Sequence, residues 1–177
     1  LLILTTFLTL TCNGQETKQD KFALTVSPII DQTNKTNQTI IEILTEFLKT
    51  KNTSLTENKF WVQTDFQKYI YPYLDIYNIE NSKYGKDFYR PTLAEIIPTE
   101  KPNQKIVKIA FIGHNNETQE NQLKSIYNLI VNVQQDKILF SRYLDFSTEK
   151  WKTVSKESLT YKISPNKTIN ETEIAEQ

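Results

Sequence analysis

Ile106-Val107-Lys108-Ile109-Ala110-Phe111-Ile112 and Ile126-Tyr127-Asn128-Leu129-Ile130-Val131-Asn132-Val133 decide the fold. Both runs are rich in β-branched and aromatic side chains. The second sets Tyr127, Leu129, Val131 and Val133 against mostly polar neighbours, the period-two pattern of a strand with one buried face. A polar turn at residues 134–137 leads into an apolar run over 138–144, which predicts an antiparallel hairpin. Leu159, Tyr161 and Ile163 alternate in the same way and predict a further strand. Pro91 and Pro98 bracket an edge-like strand that carries Leu93 and Ile97.

N-terminal to these strands the period is helical. Ile40, Ile41, Ile43, Leu44, Phe47 and Leu48 recur at helix spacing over 38–51, with Asn37 or Thr39 and Glu42 as an N-terminal cap. Ser54 and Glu57 form a second capping box, opening a short turn that delivers Phe60 and Trp61 to the core. Phe66, Tyr69, Ile70, Tyr73, Leu74 and Tyr77 share one face of a third helical pattern. Pro72 lies inside it without the N–H a helix interior needs, so a break is expected near Tyr71. Helices first and a strand meander afterwards predict an α+β fold, with the N-terminal helices packed on one face of a curved antiparallel sheet.

The rest of the composition bounds the function. With 21 basic and 21 acidic residues the net charge is zero. Neither sign forms a run able to coat a phosphate backbone, so nucleic acid is not the expected partner. Lysine outnumbers arginine 19 to 2, a bias of an AT-rich genome that discounts arguments from Lys and Asn counts. The same bias accounts for the six Asn-x-Ser/Thr triplets at Asn34, Asn37, Asn52, Asn116, Asn166 and Asn170.

Residues 1–10 are an apolar run too short to span a bilayer and of the right length for a signal-peptide core. The stretch Thr9-Leu10-Thr11-Cys12-Asn13-Gly14-Gln15 that follows resembles the lipobox of bacterial lipoproteins, with Thr9 in place of the usual Leu and Thr11 in place of Gly, Ala or Ser. That resemblance implies a diacylglycerol on Cys12, export, and a membrane partner reached through the lipid. Cys12 is the single cysteine, so the chain forms no internal disulfide. The expected organisation is a leader over 1–12, a tether over 13–36, an α+β domain over 37–165, and a polar tail or the start of a continuation over 166–177.

The order of elements over residues 38–164 resembles the NTF2-like fold, in which helices close a cone against a curved sheet and leave a pocket. The leader, together with the segment from Ile109 to Gln122, resembles the front portion of exported lipoproteins of Bacteroidota type. In some of those a metallopeptidase-like region follows, and this chain contains no His-Glu-x-x-His to which that activity transfers.

His114 is the only histidine, which excludes multi-histidine metal sites and leaves one candidate base for a hydrolase. The Gly113-His114-Asn115-Asn116 stretch that ends its strand reads more simply as a turn. Glu95 and Glu100 are a carboxylate pair on a Pro-bounded segment, where solvation is the ordinary state. Gly14, Gly85 and Gly113 are too few and too scattered for a Gly-rich phosphate loop, and no cofactor is called for. Half of the aromatic residues fall between Phe60 and Tyr89. They form either a core or a platform for an apolar or glycan ligand. A hollow is expected where the break at Pro72 lifts the helix away, walled by Trp61, Tyr69, Tyr73 and Phe111, with His114 as a further candidate. The expected function is a non-enzymatic binding or accessory domain of an envelope lipoprotein. The alternatives are a hydrolase using His114 and the accessory domain of a longer peptidase-like chain.

Overall fold

The computed structural model describes residues 22–134, 137–156 and 159–167. The chain is mixed α+β, with a five-stranded, mostly antiparallel sheet in the order β1-β2-β3-β4-β5. These strands are β1 Thr25–Val26, β2 Tyr89–Pro98, β3 Gln104–Asn115, β4 Glu120–Gln134 and β5 Lys137–Arg142. Only the short β1 runs parallel to its neighbour β2. The β-branched runs 106–112 and 126–133 are the centres of β3 and β4, paired with Ile109 opposite Tyr127 and Val107 opposite Leu129.

One sheet face is the core. Val107, Ile109 and Phe111 of β3, Leu129 and Val131 of β4, and Phe140 of β5 alternate onto it. Helix α1, Lys35–Thr50, lays Ile40, Leu44, Phe47 and Leu48 on that face. The helix starts where Asn34 caps the Asn37 N–H with its Oδ1 at 3.1 Å, so a sequon asparagine serves as the N-cap. At its other end Lys51 is fully buried and paired with Glu80 at 2.9 Å, while Asn52 Oδ1 accepts from the same ammonium. Burial pushes the Lys51 ammonium below the usual lysine range, and Glu80 opposes that shift.

Four expectations are corrected by the structure. Residues 22–36, read as tether, contain β1, and Phe22, Leu24, Val26 and Ile30 pack on the core. The third helical pattern breaks earlier than Tyr71. Helix α2 is Gln63–Lys68, Tyr69 caps it in an extended conformation, and only a turn of 3-10 helix, η1 Leu74–Ile76, forms after Pro72. Leu74 is consequently exposed rather than in the stripe. The run 138–144 does not stay extended. β5 ends at Arg142, and α3, Tyr143–Ser147, follows at once. The strand containing Leu159, Tyr161 and Ile163 is outside the main sheet. As β7 Leu159–Ile163 it pairs with β6 Lys152–Lys156 in a separate two-stranded sheet.

Gly113 is a strand residue, and its need is space rather than backbone freedom. A Cβ there would overlap the Phe88 ring. Cys12 and residues 168–177 lie outside the described residues.

Candidate functional site

The candidate site lies where β5 leaves the sheet. β5 pairs with β4 only from Leu129 opposite Arg142 to Gln134 opposite Lys137. The chain then turns into α3, where the Thr148 N–H and Oγ1–H both donate to the Leu144 carbonyl, at 3.0 and 2.7 Å. A hollow of about 370 Å3 opens in the angle so formed. Pro72, Tyr73, Asp75 and Ile76 bound it on one side, Ile126, Tyr127, Asn128 and Leu129 of β4 on another, and Arg142, Tyr143, Leu144 and Ser147 on a third, with Trp61 behind.

Trp61 is held there by the backbone. The Val62 N–H donates to the Phe140 carbonyl at 2.9 Å and the Phe140 N–H to the Phe60 carbonyl at 2.8 Å, so residues 60–62 extend the sheet beyond β5. This turns the indole inward, 5.4 Å from the Phe47 ring and 5.0 Å from the Tyr73 ring. Tyr73 is fixed in turn by its hydroxyl, which donates to the Ser54 carbonyl. Trp61 is 1% exposed and Tyr73 3%. They are walls belonging to the core, with almost no ring surface open for stacking. The exposed apolar surface at the mouth belongs to Ile126 and Leu144, each 53% exposed.

Polar groups collect at the α3 side. The Arg142 guanidinium lies 4.0 Å from the centroid of the Tyr69 ring. The Tyr69 hydroxyl reaches both carboxylate oxygens of Asp145, at 2.6 and 2.8 Å, and Lys68 pairs with the same carboxylate. Burial raises the Asp145 pKa, but the hydrogen bonds from Lys68 and Tyr69 outweigh it and leave the group below the usual carboxylate range. Burial and the hydrogen bond to Asp145 raise Tyr69. No carboxylate lies within ion-pair distance of Arg142 among the described residues.

The residues singled out from sequence separate into three places. Trp61 and Tyr73 line the hollow. Tyr69 stands behind Arg142 and does not line it. Phe111 is fully buried in the core with its ring edge-on to Tyr127, and lines none of it.

His114 is elsewhere. It is exposed near the end of β3, paired opposite Asn121 of β4 rather than in the turn expected there, with Nδ1 3.0 Å from Asn121 Oδ1, an amide rather than the Ser, Asp or Glu that a hydrolase requires. Ile126 lies five positions along β4 from Asn121, about 17 Å of strand. The neighbour of His114, Asn115, makes the turn, accepting from the Glu117 N–H at 2.9 Å. Glu95 is paired with Lys108 at 2.6 Å, and Glu100 with Lys150 at 3.5 Å. No protein family, curated protein or solved structure matches the chain.

Arg142, Tyr143, Leu144 and Ser147 were not found by reading the sequence. One signal was there: an arginine retained in a chain whose composition favours lysine 19 to 2. No helix among the described residues is long and apolar enough to cross a membrane.

Proposed function

We propose that this chain is an exported, lipid-anchored, non-enzymatic binding domain, and that its ligand places an apolar group in the hollow between Pro72 and α3. The observation that carries the reading is the hollow itself. About 370 Å3 of open space abuts core side chains, Trp61, Tyr73, Ile76 and Leu129, and its mouth is edged by exposed Ile126 and Leu144. Concave apolar space with one convergent cation is the usual form of a ligand site. Asp65 and Asp145 are tied up in fixed hydrogen bonds, and His114 is remote, which favours binding over catalysis.

Anchoring is proposed from the lipobox-like Thr9-Leu10-Thr11-Cys12 stretch, with the lipid on Cys12. The NTF2-like cone belongs to the same proposal. It draws on the register shifts at Leu93/Glu95 and Phe111/Ile112, since bulges bend strands.

Fluorescence tests the reading. Trp61 and Trp151 are the two tryptophans, so in a Trp151→Phe background emission reports Trp61 alone. Titration with 8-anilinonaphthalene-1-sulfonate, a small apolar probe, is expected to change Trp61 emission saturably. Ser147→Phe, which fills the mouth from an exposed position, is expected to remove the change. Emission that does not move, or moves equally in the filled variant, would refute the reading.

A further inference from the structure

Four consecutive residues of β4, Ile126, Tyr127, Asn128 and Leu129, line the hollow. Side chains of a strand alternate between faces, so a cavity that touches four in a row lies along the strand's edge and abuts its main chain. β5 covers that edge only from Leu129 onward. Over residues 120–128, β4 has β3 on one side, and no second strand on the other among the described residues. The far part of the free edge is protected. The register shifts between Phe111/Ile112 and Ser125/Leu123 leave Lys124 as an extra residue in β4, and a bulge disrupts the ladder and discourages strand pairing there. What remains open is the stretch from Ser125 to Asn128, beside the hollow.

We infer that this edge takes the carboxyl terminus of an extended peptide, added parallel to β4 in the line that β5 vacates. The peptide's carboxylate lies on Arg142 and an apolar side chain in the hollow. The inference rests on the reading of the hollow as a binding site and names its ligand class. Main-chain hydrogen bonds to β4 would supply affinity, and the hollow would select one side chain.

Orientation follows from charge. The place beyond Asn128 in that line is already filled by Arg142, opposite Leu129, so a docked peptide ends there. Running antiparallel to β4 it would bring its ammonium terminus to the guanidinium. Running parallel it brings its carboxylate, and arginine–carboxylate pairs are strong and directional. Arg142 is prepared for this by stacking on Tyr69 and by having no carboxylate of its own within ion-pair distance among the described residues. Asp75, the one carboxylate among the residues lining the hollow, is carried on η1. In that register the residue opposite Tyr127 points to the face of Trp61 and Tyr73, so the apolar anchor is the penultimate residue of a peptide about four residues long in contact.

The test uses the full-length chain in detergent and a library of N-terminally dye-labelled octapeptides with free carboxyl ends, varied at the last four positions. Fluorescence polarisation is expected to select peptides with an apolar penultimate residue. C-terminal amidation of a selected peptide should weaken binding about tenfold or more. In Arg142→Gln, acid and amide should bind within about twofold of each other, and Arg142→Lys should fall between. N-methylation of alternate peptide amides should abolish binding.

Acid and amide bound equally by the native chain would overturn the inference, as would selected peptides that tolerate N-methylation at every position. A library with no binder, while 8-anilinonaphthalene-1-sulfonate still enters the hollow and Ser147→Phe still excludes it, would overturn the inference and leave the binding reading standing. Loss of the probe as well would remove both. Sedimentation of the chain as a dimer dispersed by Ser125→Pro would assign the edge to a second copy and overturn the peptide.

Discussion

The Trp61 indole N–H donates to Asp65 Oδ2 at 2.9 Å, and the same oxygen accepts the Arg142 backbone N–H at 3.2 Å. One carboxylate oxygen therefore joins the segment before α2 to the end of β5, at the wall of the hollow. Asp65 is 8% exposed. Burial raises its pKa, and the two hydrogen bonds pull the other way without cancelling the shift.

Asp65→Ala leaves two donors without their acceptor and is expected to cost about 1–3 kcal/mol by urea denaturation. The native group also sets a pH dependence. Its folded pKa lies above its unfolded one, so the stability it contributes is present below the usual carboxylate range. That contribution is lost as pH rises through the raised folded value. Asp65→Asn should remove this part of the stability–pH curve. An unchanged slope in that variant just above the usual carboxylate range would show that Asp65 is not the group responsible.

Lys51 and Glu80 form a buried pair, and removing one partner strands the other charge. Lys51→Met is expected to cost about 3–5 kcal/mol, and Lys51→Met with Glu80→Leu to recover much of it. Thermal unfolding of the two variants and the native chain makes the comparison. A double variant as unstable as the single one would mean that the pair contributes more than charge compensation.

Phe47 is fully buried between the Trp61, Tyr73 and Phe140 rings, at 5.3–5.5 Å from each. Phe47→Ala is expected to cost about 3–5 kcal/mol and, by loosening Trp61 and Tyr73, to open the hollow's back wall. Native-like melting would contradict the packing described.

How much of this was legible in the sequence depended on where local pattern and tertiary contact agreed. The alternation of Tyr127, Leu129, Val131 and Val133 gave β4, and the spacing of Ile40, Leu44, Phe47 and Leu48 gave α1, because in each case the burying face is periodic. Pro72 marked the hollow through its missing donor, although the helix ends earlier, at Tyr69. The end of β5 was not legible. Phe140-Ser141-Arg142-Tyr143-Leu144 carries no Gly or Pro to end a strand, and what holds it in α3 is tertiary, the Asp145 carboxylate drawn to Lys68 and Tyr69. Aromatic type alone groups Tyr69 and Phe111 with Trp61 and Tyr73. Strand register instead places Phe111 deep on β3, and the end of α2 places Tyr69 behind Arg142.

The proposed anchor is tested in cells. Globomycin is expected to accumulate an unprocessed precursor, and Cys12→Ser to release the chain from membranes. Mass spectrometry that finds a free thiol at Cys12 in membrane-derived protein would refute the lipid.

The central claim is that the hollow between Pro72 and α3 is where this chain binds. Methyl NMR of isoleucine- and leucine-labelled chain, titrated with a solubilised extract of the envelope, tests it most directly. The account predicts shifts concentrated at Ile76, Ile126, Leu129 and Leu144 and abolished in Ser147→Phe. Shifts confined to Ile29 or Leu159, which are exposed and do not line the hollow, or shifts that persist in the filled variant, would contradict it.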